Sequence, residues 1–518
     1  MTMNKLIKRH IYGGSLWFLA VSALTACAEV QFANPVMPGF YSDPSVCRAN
    51  GKYCLATSSM QLFPAIPLFE SEDLIHWTLK GHAVERSGIA PLGSDRPDRE
   101  FCGYFAPTLR FHAGRFYLVV DNHSDREGSN RSVGPVIMYA DRLEGPWTAP
   151  REIENIGMSL GDPSLDFIDG KCYFTGTNGR EIFLAEMDAA AGRVLERPRA
   201  VWKGAGGIWP EGPHVFKRGD WYYVMIAEGG TEYGHSETIA RSKDIYGPYE
   251  GCPRNPIAGH ARWAAQGSPL QAVGHGDFVY DESGAGHFIC HAMRPQFGKH
   301  HLLGRETVAV PLSWTDDGWP LVNGGKPIAY VENTENLPAW DWTYVRNPVL
   351  SNYRLVRPDG TISLKPTPVR LSDAGSPSFV GTRQTKINQT FRGMLVTRPQ
   401  TGVEVGVVAY MGRSHHYALA VAERVGGECV AFVRYRLGIM SFASEPVKIG
   451  SFPVELAIES KAKEIRLTAG GRLVATADPR HISSETDSDS PYSGVIYGFF
   501  AEGPSDRAEA VFRPQPLH

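Results

Sequence analysis

The sequence predicts an all-β protein, a five-bladed β-propeller followed by an antiparallel β-sandwich. Three observations carry this reading. A short polar opening, then an apolar run, recurs five times in the first part of the chain. Each opening is followed by a glycine turn between two apolar, aromatic-rich runs. From Leu337 onward the texture changes to closely spaced sets of alternating apolar residues.

The openings are Gly39-Phe40-Tyr41-Ser42-Asp43-Pro44-Ser45-Val46, Ala106-Pro107-Thr108-Leu109, Gly161-Asp162-Pro163-Ser164-Leu165, Glu211-Gly212-Pro213-His214-Val215 and Gly274-His275-Gly276-Asp277-Phe278. The turns are Gly51-Lys52-Tyr53, Gly114-Arg115-Phe116-Tyr117, Gly170-Lys171-Cys172-Tyr173, Gly219-Asp220-Trp221-Tyr222 and Gly286-His287-Phe288. Strand, glycine turn and strand form the hairpin signature. Five such units at a period of roughly 50 to 65 residues fit a propeller rather than helical repeats.

In a propeller the first strand of each blade lines the central channel. Residues at equivalent starts of those strands therefore gather at one end of the axis. By that logic Asp43, Asp162, Glu211 and His275 meet, although they are far apart in sequence. Three acids and a histidine in one pocket are costly to hold unless they perform chemistry.

The blades read in order. Asn34 opens the first, whose later strands include Tyr53-Cys54-Leu55-Ala56-Thr57 and Leu68-Phe69-Glu70. Ser71 to Trp77, Ala140 to Trp147 and Arg241 to Tyr249 echo one another as outer blade edges, each closed by an aromatic plug. A polar loop with Arg96, Asp98, Arg99 and Glu100, and another from Asn122 to Gly134, lie where propeller loops shape a site. Asn323-Gly324-Gly325-Lys326-Pro327 punctuates the end of the propeller. Beyond it, sets at Val403, Val405 and Val407, at Tyr417, Leu419 and Val421, at Val430 and Phe432, and at Val454, Leu456 and Ile458 give the sandwich pattern. The acidic, serine-rich stretch from Ile482 to Pro491 reads as an exposed loop.

The chain has 518 residues with a net charge of -3, which argues against nucleic acid as a partner. Lys5, Lys8 and Arg9 precede an apolar stretch from Ile11 to Leu24 that is too short to span a membrane and reads as a signal peptide. It ends in Leu24-Thr25-Ala26-Cys27, which resembles the bacterial lipoprotein box. That resemblance implies cleavage before Cys27, a lipid anchor on its thiol and export to the outer membrane or periplasm. An ordinary secretory signal with a chance cysteine is the alternative. The division expected is residues 1–27 as leader, 28–330 as propeller and 337–518 as sandwich. If Asn50-Gly51 is a type I′ turn, Cys47 and Cys54 face each other as a hydrogen-bonded pair. That position is not the preferred one for a bridge, so a free buried pair is expected. No Cys-x-x-Cys cluster is present, so no zinc site is expected.

The motifs resemble glycoside hydrolase family 43. The likeness rests on Asn34 to Ser45, Phe105 to Phe111, Asp162 to Leu165, Glu211 to His214, Ala227 to His235, Gly274 to Asp277 and Gly304 to Thr307, in the branch with β-xylosidases and α-L-arabinofuranosidases. The resemblance implies a propeller enzyme that inverts the anomeric carbon of an oligosaccharide substrate. It implies Asp43 as general base, Glu211 as general acid and Asp162 as the residue that orients the acid and tunes its pKa. Arg305 and His275 match substrate-pocket positions. Phe63, in Phe63-Pro64-Ala65-Ile66-Pro67, matches an aromatic wall of the terminal sugar subsite, and Phe105 stands where the branch often has Trp. In some relatives a cation or water lies near the His275 position; otherwise no cofactor is implied. Tyr41-Ser42 replaces a common His-Pro, which bears on the sugar preferred rather than on the reaction.

Inversion needs an acid on the leaving oxygen and a base on a water across the ring, with the two carboxyls roughly 6.5 to 9.5 Å apart. A carboxylate at Asp162 is expected to raise the pKa of Glu211 by like-charge repulsion. Arg305 either holds Asp162 ionised or binds sugar hydroxyls. An exo-acting β-xylosidase is the first expectation and an α-L-arabinofuranosidase the second. A non-catalytic sugar-binding lipoprotein is the reading of a different class.

Overall fold

Two-residue loops set the blade geometry. Asn50-Gly51, Ala113-Gly114 and Asp169-Gly170 each place both residues at positive φ, the type I′ turn that matches strand twist. They join strands Ser45–Ala49 to Lys52–Ala56, Tyr104–His112 to Arg115–Asp125, and Gly161–Ile168 to Lys171–Thr177. Gly219-Asp220, with only Gly219 at positive φ, joins Glu211–Arg218 to Trp221–Glu228. The fifth hairpin differs from the sequence reading: Gly286 begins the strand Gly286–Met293, and the turn is the longer Asp281 to Ala285. Cys47 and Cys54 are directly opposite, buried and unbridged, as the turn type requires.

The computed structural model describes residues 32–90, 92–93, 102–126, 131–261, 267–332, 341–355, 357, 359–486 and 492–517. The leader with Cys27 and the loop with Arg96, Asp98, Arg99 and Glu100 lie outside the described residues. Five antiparallel sheets follow in chain order, each led by one of the repeated openings. The innermost strands are Ser45–Ala49, Tyr104–His112, Gly161–Ile168, Glu211–Arg218 and Gln271–Tyr280. Each meets the next, and the fifth meets the first, so the blades close into a ring. The N-terminal segment seals it: Asn34 bonds both the N–H and the C=O of Ala309 in blade 5, and Met37 bridges Thr307. The three expected plugs are present, with the Trp77 and Trp147 indoles donating to Leu74 and Leu143 carbonyls and the Tyr249 hydroxyl to Ile245.

One cation ties the ring together from inside. Arg110 of blade 2 donates to Ser45 of blade 1, Asp166 of blade 3 and Asp277 of blade 5, and lies 3.0 Å from His214 of blade 4. Burial alone would lower its pKa; Asp277 and Asp166 more than offset that and fix the charge. Arg110→Met is therefore expected to destabilise the fold by about 3 kcal/mol or more, because it strands two buried carboxylates. Urea unfolding of Arg110→Met beside the double variant with Asp277→Asn tests this; a single variant as stable as the parent rules it out.

The second half forms two seven-stranded antiparallel sheets, one built around Gln389–Leu395 and Val454–Lys461, the other around Glu404–Tyr410 and His415–Glu423. Val405, Val407, Leu419, Leu456 and Ile458 fill the space between them. On Cys429–Leu437 the inward set is Ala431 and Val433; Val430 and Phe432 face the opposite side, one residue out of step with the sequence reading. Arg346 and Arg383 clamp the sandwich to blade 1 and its lead-in through the Gln61 side chain and the Phe40 carbonyl. The strand Leu62–Phe63 pairs with Tyr344–Val345.

Candidate active site

In four blades the innermost ladder skips two residues near the start of the strand, after Phe105, Gly161, Glu211 and Gly274. Within the break sits a residue in the left-handed region: Ala106, Asp162, Gly212 and His275, with Asp43 in the same conformation in blade 1. Asp and His tolerate this conformation better than most side chains, and such strain concentrates where geometry serves a site. Gly212, rather than Glu211, is therefore the counterpart of Asp43. Glu211 stands one residue earlier, at the ladder position of Phe105, Gly161 and Gly274. The sequence repeat set it one place too late. The longer side chain compensates and still reaches the axis.

The acids converge on His275. Its Nδ1 lies 3.6 Å from Asp43 Oδ1 and 3.9 Å from Glu211 Oε1. Asp43 is buried and held on every side. Arg305 donates to Oδ1 at 2.7 Å, Ser58 and Ser42 donate to Oδ2 at 2.6 and 3.0 Å, and His291 Nδ1 is 3.2 Å from Oδ1. Burial would raise its pKa, but Arg305, His275 and His291 outweigh that and hold the carboxyl well below the usual range. Arg305 thus serves Asp43, not Asp162 as one sequence alternative had it.

Asp162 accepts the Gly212 N–H at 3.2 Å and so fixes the backbone beside Glu211. Burial, then the charges of Glu211, Asp43 and Asp121, raise its pKa to about 6 against the pull of His275. Glu211 goes the other way: burial would raise it, yet His275, His235 and Arg305 bring it below its ordinary value. The like-charge effect expected on Glu211 therefore falls on Asp162, because the imidazolium stands beside Glu211. Burial would lower His275, but Asp43, Glu211 and Asp162 raise it to about 9, so it is a cation at neutral pH. Its neighbours His235 and His291, stacked at 5.0 Å, are driven by burial to about 3 and stay neutral.

Asp162 gives a stability prediction with a definite sign. Its folded pKa lies above the ordinary 3.8, so the fold favours the protonated form and loses stability as pH rises from about 4 through about 6. Asp162→Asn fixes the neutral form. It is expected to raise stability by about 1–2 kcal/mol at pH 7 and to change little at pH 4. Thermal melts at both pH values check this; equal shifts at the two would contradict it.

Phe105 stands at the site's edge, its ring 4.8 Å from His123, in an apolar cluster with Phe40, Met60 and Leu62. Phe63 is elsewhere. Alternation along Leu62–Phe63 turns Leu62 to that cluster and Phe63 into the seam against Tyr344, where it is 1% exposed. The sandwich supplies a residue the sequence reading missed. Tyr492 packs on the same cluster, and the Arg305 guanidinium lies over its ring at 5.1 Å. The start of the stretch read as an exposed loop is in fact buried, at Ile482, Ser483 and Ser484, with Glu485 bonded to His301 of blade 5. Its residues 487–491 are outside the described set. Among the described residues no group of three His, Cys, Asp or Glu side chains is placed to hold a metal ion.

With this geometry in place the comparisons become decisive. The model for Glycosyl hydrolases family 43 matches residues 32–320, more than half of the chain. The chain belongs to glycosyl hydrolase family 43. Residues 333–513 of this hydrolase match the Beta xylosidase C-terminal Concanavalin A-like domain. It is 35% identical over 513 residues to a Non-reducing end alpha-L-arabinofuranosidase, BoGH43B, of Bacteroides ovatus, covering 94% of both chains. It is 32% identical over 512 residues to a Xylosidase/arabinosidase of Butyrivibrio fibrisolvens, covering 90% of this chain and 95% of the other. Among solved structures, Bacteroides ovatus Xyloglucan PUL GH43B superposes with a TM-score of 0.85 at 34% identity, covering 94% and 99% of the two chains. A xylan beta-1,4-xylosidase from Bacillus Halodurans C-125 does so with a TM-score of 0.83 at 26% identity, covering 94% and 100%.

Proposed function

We propose that this hydrolase is an inverting exo-glycosidase that removes terminal β-xylosyl units from xylo-oligosaccharides. Asp43 is the general base that activates water, Glu211 the general acid on the leaving oxygen, and Asp162 the residue that positions Glu211. His275 and Arg305 line the sugar pocket, with Phe105 at its rim. The observation that carries the reading is the shared nitrogen. Asp43 and Glu211 oxygens 3.6 and 3.9 Å from His275 Nδ1 share one basin and are at most about 7.5 Å apart, a limit that reaches into the range of roughly 6.5 to 9.5 Å used by inverting pairs. The placing of Tyr492 of the sandwich against Arg305 and the cluster of Phe105 supports cleavage from a chain end.

A second reading, release of terminal α-L-arabinofuranosyl groups, is favoured by the name of the Bacteroides ovatus relative. Proton NMR of the first-formed sugar, on aryl β-xyloside and aryl α-L-arabinofuranoside, separates the two. The expected result is α-xylose appearing first from the xyloside. A first-formed β-anomer excludes inversion, and turnover of the arabinofuranoside alone selects the second reading. The leader belongs to the same proposal. Labelling with a palmitate analogue is expected to tag the full chain in a Gram-negative host and to be lost in Cys27→Ser; label retained in that variant refutes the anchor.

A further inference from the structure

Each turnover of the proposed reaction leaves the site one proton out of place. Glu211 gives its proton to the departing oxygen as the glycosidic C–O bond breaks. Asp43 takes one from water as the new C–O bond forms. The site then holds a protonated Asp43 and an ionised Glu211, the reverse of what the next substrate needs.

Asp43 has little access to bulk water through which to correct this. It is 3% exposed, Arg305 occupies Oδ1, and Ser42 and Ser58 occupy Oδ2. Two nitrogens face what remains of Oδ1. One belongs to His291, which burial keeps neutral. The other is His275 Nδ1, and the same atom faces Glu211.

We infer that His275 returns the proton from Asp43 to Glu211 between turnovers. Nδ1–H gives its proton to Glu211 Oε1, and Nδ1 then takes the proton from Asp43 Oδ1. The ring ends as the same cation, both carboxyls are reset, and no outside acid or base is consumed. The ring is placed for this by its surroundings. It packs over Gly212, where any Cβ would lie 2.7 Å from it, and Glu237 holds the next residue by accepting the Gly276 N–H at 3.2 Å. The groups that face it are the carboxyls of Asp43, Glu211, Asp162 and Glu237 and the rings of His235, His214 and His291, the last at 5.8 Å.

This inference rests on the acid and base roles proposed above. Its test is rapid-quench kinetics of His275→Asn on an unactivated disaccharide, which needs both groups. The expected trace is a burst approaching one sugar per enzyme, then a steady state slowed roughly tenfold or more, which added imidazole speeds up. A side chain that only binds sugar or shapes the pocket slows the first turnover as much as later ones and gives no burst. Absence of a burst, or a burst phase followed by a steady state that imidazole leaves unchanged, overturns the relay. If the Asn variant fails to fold, Gly212→Ala, which displaces the ring, is read in the same way. A wrong assignment of acid and base shows instead in the Asp43 and Glu211 variants themselves. Those variants behaving as argued below, with no burst at His275, sinks the relay alone.

Discussion

Asp43→Ala is expected to lose turnover on every glycoside by about 10³–10⁴-fold, activated and unactivated alike. That corresponds to about 4–5.5 kcal/mol of barrier. A good leaving group cannot replace a base, because water must still be deprotonated as it attacks. The low pKa of Asp43 gives the pH signature. Burial opposes ionisation, but Arg305, His275 and His291 keep the carboxylate charged below the ordinary range. The acid limb of kcat/KM in the parent enzyme should therefore fall below about pH 4. The same shift has a sign for stability: the pairing stabilises the fold above the ordinary carboxylate pKa and is lost as pH drops through the depressed one. Removing the carboxyl leaves Arg305 buried without its partner, so the variant should melt earlier than the parent while staying folded at 25 °C. Azide, small enough for the vacated space, should restore turnover and yield a glycosyl azide of inverted configuration. Residual activity within tenfold of the parent, in folded protein, would mean the base is another residue.

Much of this site was legible because a propeller converts repetition into position. Asp43-Pro44 and Asp162-Pro163 make the same left-handed step before a proline at the start of their innermost strands. Once the repeats were aligned, His275 followed, although its opening shares no letters with theirs beyond glycine. The one-residue error at Glu211 has a plain cause. The sequence shows a carboxylate near a proline, but only the ladder shows that Gly212 occupies the bulge. Phe63 failed for a related reason. Adjacent residues on a strand face opposite ways, and the strand that decides which way Phe63 faces is Tyr344–Val345, remote in sequence. Tyr492 and Arg110 were invisible for a third reason. Tyr492 acts from another domain, and the partners of Arg110 come from four other blades, so no local pattern announces either role. Proton affinities were the least readable. Repulsion between two acids is easy to foresee from sequence, but which of them bears it depends on where one imidazolium stands.

Glu211→Ala should divide substrates by their leaving groups. On a xylo-disaccharide, whose departing alcohol must be protonated, the loss is expected to be about 10³–10⁴-fold. On a dinitrophenyl glycoside, whose phenolate leaves unaided, it should be less than about tenfold. The side chain is part-exposed at the mouth of the cluster, so its removal leaves Asp43, Arg305 and His275 in place, and the base step proceeds. A residue that merely shapes the pocket gives a different pattern, because poor packing slows both substrates alike. Asp162→Asn then supplies the control. It leaves Glu211 present but without the neighbouring carboxylate that fixes the Gly212 backbone. It should therefore impair the disaccharide more than the dinitrophenyl substrate, in the same direction as Glu211→Ala but less severely. Equal losses on both substrates in Glu211→Ala would move the acid to Asp162, whose pKa, about 6, is raised by burial and by the charges of Glu211 and Asp43.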